Sequence, residues 1–168
     1  MGSFQNQMLE FHNQLKKGLI QTAYRGLIEF MSRLRNRFGT RYPELLVPGS
    51  LYQGFMDMTY FSIVTDKLKT RDLKFAIVFL YDAFRFEIWL SAKNKQVLSS
   101  CWEAIHKSSW DKYKLVKPAP GVDSVLEHIL VDQPDFQDLE ALSQQIEDGA
   151  LIFIRDVEAF LSKNDFSR

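Results

Sequence analysis

The chain has 168 residues, of which 46% are hydrophobic and 14% aromatic, which is enough apolar material for one domain with its own core and excludes a disordered chain. The chain has 21 basic residues (lysine and arginine) and 21 acidic residues (aspartate and glutamate), so its net charge is zero. Because nucleic-acid-binding proteins usually carry an excess of positive charge, we do not expect a nucleic-acid partner. The single cysteine, Cys101, excludes an internal disulfide and favours a reducing compartment. We therefore expect one domain over residues 1–168.

The N-terminal part of the chain predicts two helices. Apolar side chains recur every three or four positions over residues 4–16, and again from Leu19 to about residue 38. Gly18 separates the two runs, and Gly39 stands where a helix C-cap needs a left-handed residue. The apolar runs are too short to span a membrane and the polar N-terminus lacks the apolar stretch of a signal peptide, so we expect a cytoplasmic protein that does not contact a membrane.

Charge is distributed unevenly along the chain. Basic residues dominate residues 1–45, and acidic residues dominate from residue 122 onward. We interpret this as two terminal helical regions whose charged faces complement each other or are solvated. Helix-mediated assembly through the face of Arg33 and Arg37 is a further hypothesis.

Three strand-like runs follow, over about residues 51–61, 73–82 and 84–92. The second run is apolar on both sides, as a central strand should be, and a short junction to the third run predicts a hairpin. The third run alternates strictly, so one of its sides should pack on helices and the other should be partly open. The apolar set is Phe84, Phe86, Ile88 and Leu90, and the other set is Arg85, Glu87 and Trp89.

The remaining chain predicts a helix over residues 94–107, a fourth strand over 124–132, and one long helix or two over 133–163. Pro134 with Asp135 suits the start of the closing helix, and Gly149 is a candidate bend. The element order ααβββαβα predicts an α+β domain. We expect a small mixed or antiparallel sheet of about four strands, with helices packed mainly on one face.

Motifs for catalysis and metal binding do not occur in the sequence. It contains no phosphate-binding loop, no dinucleotide fingerprint and no HExxH, and its three histidines and one cysteine lack zinc spacing. Cys101 and His106, the one thiol–imidazole pair considered, diverge by about 140° around a helix that turns 100° per residue. We therefore predict no catalytic residue, no metal site and no cofactor.

A polar and aromatic patch on the sheet is the candidate ligand site. If side chains alternate along the strands, Gln53 and Asp57 share one face of the first run. We expect this face to lie on the same side of the sheet as the polar side chains of the third run. Such a patch can hold a ligand through charge-assisted hydrogen bonds, whereas the alternative is a solvated sheet face with cross-strand ion pairs. Aromatic rings favour binding, because they are costly to leave in water. The predicted ligand-binding residues are Tyr52, Gln53, Asp57, Tyr60, Arg85, Glu87 and Trp89.

Four segments carry a resemblance to a known family: YRGLIEFMSRLRNRF, GSLYQGFMDMTYF, FRFEIWLSAKNKQ and EDGALIFIRDVEAF. In these segments the chain resembles a bacterial family of stand-alone proteins of about this length, known as a domain of unknown function. The resemblance spans nearly the whole chain and implies a single domain. It implies no activity.

The order αβββαβ is also similar to the core of restriction-endonuclease-like nucleases. That resemblance implies an Asp on one strand and an Asp/Glu-x-Lys on the next, which bind Mg²⁺ and activate water. Asp57 or Asp82 would fill the first position and Glu87 the second. The sequence departs from the pattern at Trp89, which stands where the lysine should be.

Together these observations lead us to expect a non-enzymatic binding module. Its partner would be a small polar ligand or a protein, held by the polar and aromatic sheet face. The alternative is a metal-dependent nuclease, active or degenerate, with Asp57, Asp82 and Glu87 as metal ligands.

Overall fold

The computed structural model of the protein describes residues 2–164. The helices are α1 (Phe4–Lys16), α2 (Leu19–Arg41), α3 (Asp66–Lys69), α4 (Lys95–Ser108) and α5 (Leu139–Lys163), and the strands are β1 (Met58–Ile63), β2 (Leu73–Leu80), β3 (Arg85–Ala92), β4 (Lys114–Leu115) and β5 (Ser124–Asp132). The predicted mixed α+β class is confirmed. None of the helices in this described part combines the length and hydropathy that a membrane span needs.

The strands form one five-stranded sheet in the order β1-β2-β3-β5-β4, and every pairing is antiparallel. Cross-strand partners show which residues share a face. One row runs Thr59–Phe79–Phe86, and the neighbouring row, on the opposite face, runs Tyr60–Val78–Glu87. The β3–β5 pairing shifts register twice, between Phe86 and Glu87 and between Leu90 and Ser91.

The core lies between the first of these faces and the long helices. α2 packs on the sheet through Phe30, whose ring meets Phe86, and through Phe38, whose ring meets Phe61. Phe153 of α5 packs edge-on against the ring of a β2 phenylalanine on the same face. The buried stripe of α2 comprises Leu27, Phe30, Met31, Leu34 and Phe38. Helical spacing of the apolar residues therefore creates the core, as the sequence predicted.

α1 forms where the sequence predicts it but buries none of its residues. Ser3 caps it by accepting the backbone N–H of Asn6. Phe4 is 76% exposed and Phe11 49% exposed, so the apolar stripe of this helix does not reach the core. It packs against α2.

A buried ion-pair cluster joins α2 to α5. Glu147 is 1% exposed and accepts hydrogen bonds from Arg37, from Arg41 at 3.1 Å and from the hydroxyl of Tyr42. Arg37 also binds Glu140 of α5 at 2.6 Å. Of the two alternatives for the charged ends of the chain, complementary or solvated faces, Arg37 and Arg41 follow the first by pairing with α5. Arg37 is thereby engaged inside the chain, which removes it from the assembly face proposed for it.

The first predicted strand is wrong over residues 53–57. Strand β1 begins at Met58, and the preceding segment is a turn in which Gly54 and Met56 have positive φ angles. Tyr52 meets β1 through an isolated bridge to Tyr60. Because a turn interrupts the extended chain, side-chain alternation does not continue from Gln53 through β1.

Other boundaries also differ from the prediction. Gly39 lies inside α2 instead of capping it, and α5 begins at Leu139 with the side chain of Asp138 as N-cap. α5 continues as one helix through Gly149, where an added Cβ would lie 2.9 Å from Leu130 Cδ2, so this glycine permits close packing on β5. The short elements α3 and β4 were not predicted.

Candidate functional site

Three of the predicted site residues form one hydrogen-bonded cluster on the sheet face that lies away from the core. Glu87 accepts Arg85 Nε at 2.7 Å on one carboxylate oxygen and Trp89 Nε1 at 2.6 Å on the other. Glu87 is 2% exposed, while its two partners are half-buried. Both oxygens of the carboxylate are therefore satisfied within the protein, as a buried carboxylate requires.

Tyr52 and Tyr60 lie at the β1 edge of the same sheet. Their rings stack with centroids 4.9 Å apart, and Lys74 Nζ lies 5.5 Å from the centre of the Tyr60 ring. Burial raises the pKa of Tyr60, and the nearby Tyr52 and Asp123 raise it further. Tyr60 and Glu87 share a face, with Val78 of β2 between them.

Gln53 and Asp57 belong to the turn before β1. The Asp57 carboxylate accepts the backbone N–H of Phe55 at 2.9 Å. Backbone hydrogen bonds lower the pKa of Asp57, the one from Met58 more than the one from Phe55. Asp57 therefore holds the turn in shape, and the backbone oxygen of Gln53 accepts the hydroxyl of Thr59 at 3.3 Å.

Asp57 and Glu87 do not form one patch. Two strand spacings and three residues along the strands separate them, roughly 14 Å between Cα atoms. Asp57 also lies in the turn before β1, outside the alternation of the sheet, whereas Glu87 lies in the row Tyr60–Val78–Glu87 on the face away from the core. The expectation that the polar residues of the first and third strands gather on one side is therefore wrong for Asp57.

The Arg85–Glu87–Trp89 cluster leads to a stability prediction. Replacing Arg85 with alanine leaves the buried carboxylate of Glu87 with one donor, so we expect the free energy of unfolding to fall by about 1–3 kcal/mol. Urea denaturation measures this change. Arg25→Ala is the control, because Arg25 is exposed on α2, and we expect it to stay within about 0.5 kcal/mol of the wild type. Equal stability of the two variants would contradict a structural role for the cluster.

The nuclease hypothesis finds little support in this geometry. Asp82 is exposed in the β2–β3 turn, and Glu87 is already bound by two donors. Within residues 2–164, no group of three or more His, Cys, Asp or Glu side chains is placed to hold a metal ion. Metal-dependent cleavage stays a prediction that calorimetry with Mg²⁺ or Mn²⁺ can test.

A pocket of about 550 Å³ lies on the core side of the sheet, beside the first half of α2. The β2–β3 turn, the turn before β1 and the segment that leads into α5 complete its wall. Its lining residues are Ile20, Ala23, Tyr24, Gly26, Leu27, Phe30, Arg33, Met56, Phe79, Tyr81, Phe84, Phe136 and Leu139. This volume falls within the range of pockets that bind small molecules.

Two bulky residues of the pocket wall have left-handed backbone conformations. Phe84 has a φ of 50° and Met56 a φ of 61°, and the two are 45% and 50% exposed. Such a conformation costs a residue with a Cβ about 1–2 kcal/mol, and glycine or asparagine normally occupies it. Phe84 packs edge-on against Phe79 and Phe136 with ring centroids 5.8 and 5.9 Å apart. Aromatic packing of Phe84 at the pocket thus offsets backbone strain that a glycine would avoid.

Hydroxyl groups supply the few neutral polar contacts of the pocket. Tyr81 OH lies 2.8 Å from Thr59 Oγ1, and the Tyr81 ring stacks on that of Tyr24 with centroids 6.2 Å apart. Burial raises the pKa of Tyr81. Tyr81 therefore keeps its hydroxyl protonated beside a largely apolar wall.

The fold and this pocket define an α+β protein with a five-stranded antiparallel sheet and an apolar, ligand-sized cavity beside α2. The chain belongs to the family described as a domain of unknown function, DUF7000, whose model matches residues 4–161. This match confirms the resemblance to a domain-of-unknown-function family. No curated protein and no solved structure matches the chain.

Proposed function

We propose that this protein is a non-enzymatic binding protein that holds a small, largely apolar molecule in the pocket beside α2. The cavity of about 550 Å³ carries the proposal, because its lining consists almost entirely of aliphatic and aromatic side chains. Strained backbone at Phe84 and Met56 supports it, since bulky residues in left-handed conformations are typical of functional sites. The sheet face of Glu87 is the weaker site, because the polar groups of Arg85, Glu87 and Trp89 already satisfy one another.

Gly26 offers a direct way to block the pocket. It lies inside α2 and lines the cavity, and a Cβ added there would meet no atom within 4 Å. A phenylalanine at this position would occupy ligand space. It would also favour the helix, because glycine is the poorest helix former after proline.

The test is a titration with the neutral fluorescent probe N-phenyl-1-naphthylamine. We expect saturable binding by the wild type and at least about tenfold weaker binding by Gly26→Phe. Gly39→Phe is the matched control, since Gly39 also lies inside α2 but is exposed and outside the pocket. Circular dichroism verifies that both variants fold.

The same titration discriminates between the two candidate sites. Absence of saturable binding by the wild type, or equal binding by Gly26→Phe, would overturn the pocket proposal. Weaker binding by Arg85→Ala together with unchanged binding by Gly26→Phe would move the site to the sheet face of Glu87.

We further propose that the protein works in the bacterial cytoplasm. The resemblance to a bacterial family supports the source. Cys101 supports a reducing compartment, because it is the single cysteine and cannot form an internal disulfide. Fractionation of the source cells tests the location.

A further inference from the structure

We infer that the pocket takes an amphiphile with a negatively charged head group, and that Arg33 binds this head. The inference rests on the proposed function, because it requires that the pocket holds a ligand. Among residues 2–164, Arg33 is the only charged residue in the pocket lining, and no aspartate or glutamate of this part of the chain lines the pocket. An apolar cavity with one positive charge at its wall favours an anion over a neutral molecule of the same shape and disfavours a cation.

Arg33 differs from most other arginines of the chain in having no internal partner. Within residues 2–164, it makes no hydrogen bond or ion pair with a side chain or carbonyl group, and Glu29, four residues earlier on α2, does not pair with it. The arginines that do bind protein groups are Arg35, Arg37, Arg41, Arg71, Arg85 and Arg155. The guanidinium of Arg33 is therefore available to a ligand.

The position of Arg33 along α2 fits an elongated amphiphile. The α2 residues of the lining run from Ile20 to Arg33, and 13 helical steps correspond to about 20 Å along the helix axis. Arg33 is the last of them, so the charge stands at one end of the apolar stretch. An apolar chain would lie along Leu27 and Phe30, with its head at Arg33.

Displacement of N-phenyl-1-naphthylamine by ligands with one common tail tests the inference. The competitors are decanoate, decyl phosphate, decan-1-ol and decylammonium, each below its micelle concentration. We expect at least one of the two anions to displace the probe at about tenfold lower concentration than decan-1-ol, with decylammonium the weakest, since a hydrogen bond to a charged group commonly contributes that much. The two anions show whether a carboxylate or a phosphate fits better.

Two variants separate the role of Arg33 from a general effect of charge. Arg33→Gln should remove the preference for the anions and leave decan-1-ol unchanged. Arg25→Gln should change nothing, because Arg25 is also exposed on α2 but does not line the pocket. Equal displacement by the anions and the alcohol, or an unchanged preference for anions in Arg33→Gln, would overturn the inference that the ligand has a negatively charged head group. The proposal that the pocket binds an apolar molecule would still stand. Failure of the wild type to bind the neutral probe would overturn the proposed function itself.

Discussion

Replacing Glu147 with alanine is expected to lower the free energy of unfolding by about 3–5 kcal/mol, because removing one partner of a buried ion pair leaves the others uncompensated. The carboxylate is 1% exposed and accepts hydrogen bonds from Arg37, Arg41 and Tyr42. Its loss leaves the guanidinium of Arg37, which is 13% exposed between α2 and α5, with only Gln144 and the exposed Glu140 as partners. Urea denaturation gives the change directly, and the melting temperature should fall by about 2–4 °C per kcal/mol in a chain of this size.

Glu140 provides a control on the same arginine. Its carboxylate binds Arg37 at 2.6 Å, but it is 75% exposed, so water screens the pair and replaces it when it is lost. Glu140→Ala should therefore cost less than about 1 kcal/mol. Similar losses in the two variants would show that burial does not determine the strength of this cluster.

The same cluster makes stability depend on pH. Burial acts to raise the pKa of Glu147, but hydrogen bonds from Tyr42, Arg37 and Arg41 outweigh it and leave the pKa below its ordinary value. A carboxylate with a lower pKa in the folded state stabilises the fold above its unfolded-state pKa, about 4.3, and loses this contribution as the pH falls through its folded-state pKa. Glu147→Gln should accordingly show a smaller loss of stability on acidification than the wild type, measured by urea denaturation in acidic buffers.

Local patterns predicted those elements whose boundaries are set by local chemistry. β5 spans Ser124–Asp132, the range predicted from its β-branched and apolar run, because turn-forming residues flank it on both sides. The contact of Glu87 with Arg85 and Trp89 follows from alternation within one strand, so the sequence alone brought these three together. In both cases, a few consecutive residues were enough to predict the structure: the bounds of β5 and the contacts of Glu87.

Tertiary packing decided the features that the sequence did not predict. The turn before β1 needs Met56 in a left-handed conformation, which sequence preference argues against and which Met56 adopts at the pocket wall. The pocket itself is assembled from four segments far apart along the chain, so no local motif marks it. The ion pairs of Glu147 reach residues more than 100 positions away, as in Arg37–Glu147 with a separation of 110, and only the charge asymmetry of the chain ends indicated them.

Replacing Phe153 with alanine is expected to cost about 3–5 kcal/mol of the free energy of unfolding, as large-to-small changes of buried aromatic residues do. Phe153 is 0% exposed, and its ring lies 5.8 Å from that of Phe75 and 4.5 Å from that of Tyr113. It therefore joins α5 to β2 and to the segment before β4. Truncation removes these contacts and leaves a cavity, and thermal or urea unfolding measures the loss.

Ile152 is the matched control for this change, because it precedes Phe153 in α5 and is 47% exposed. Ile152→Ala should cost far less than Phe153→Ala, at most about 1 kcal/mol, since about half of the Ile152 side chain is already in water and alanine favours the helix. Phe153 does not line the pocket, so the folded fraction of Phe153→Ala should bind N-phenyl-1-naphthylamine with wild-type affinity. A large loss in Ile152→Ala, or a weak effect of Phe153→Ala, would mean that α5 does not pack on the sheet through Phe153, and the core described between these elements would be wrong.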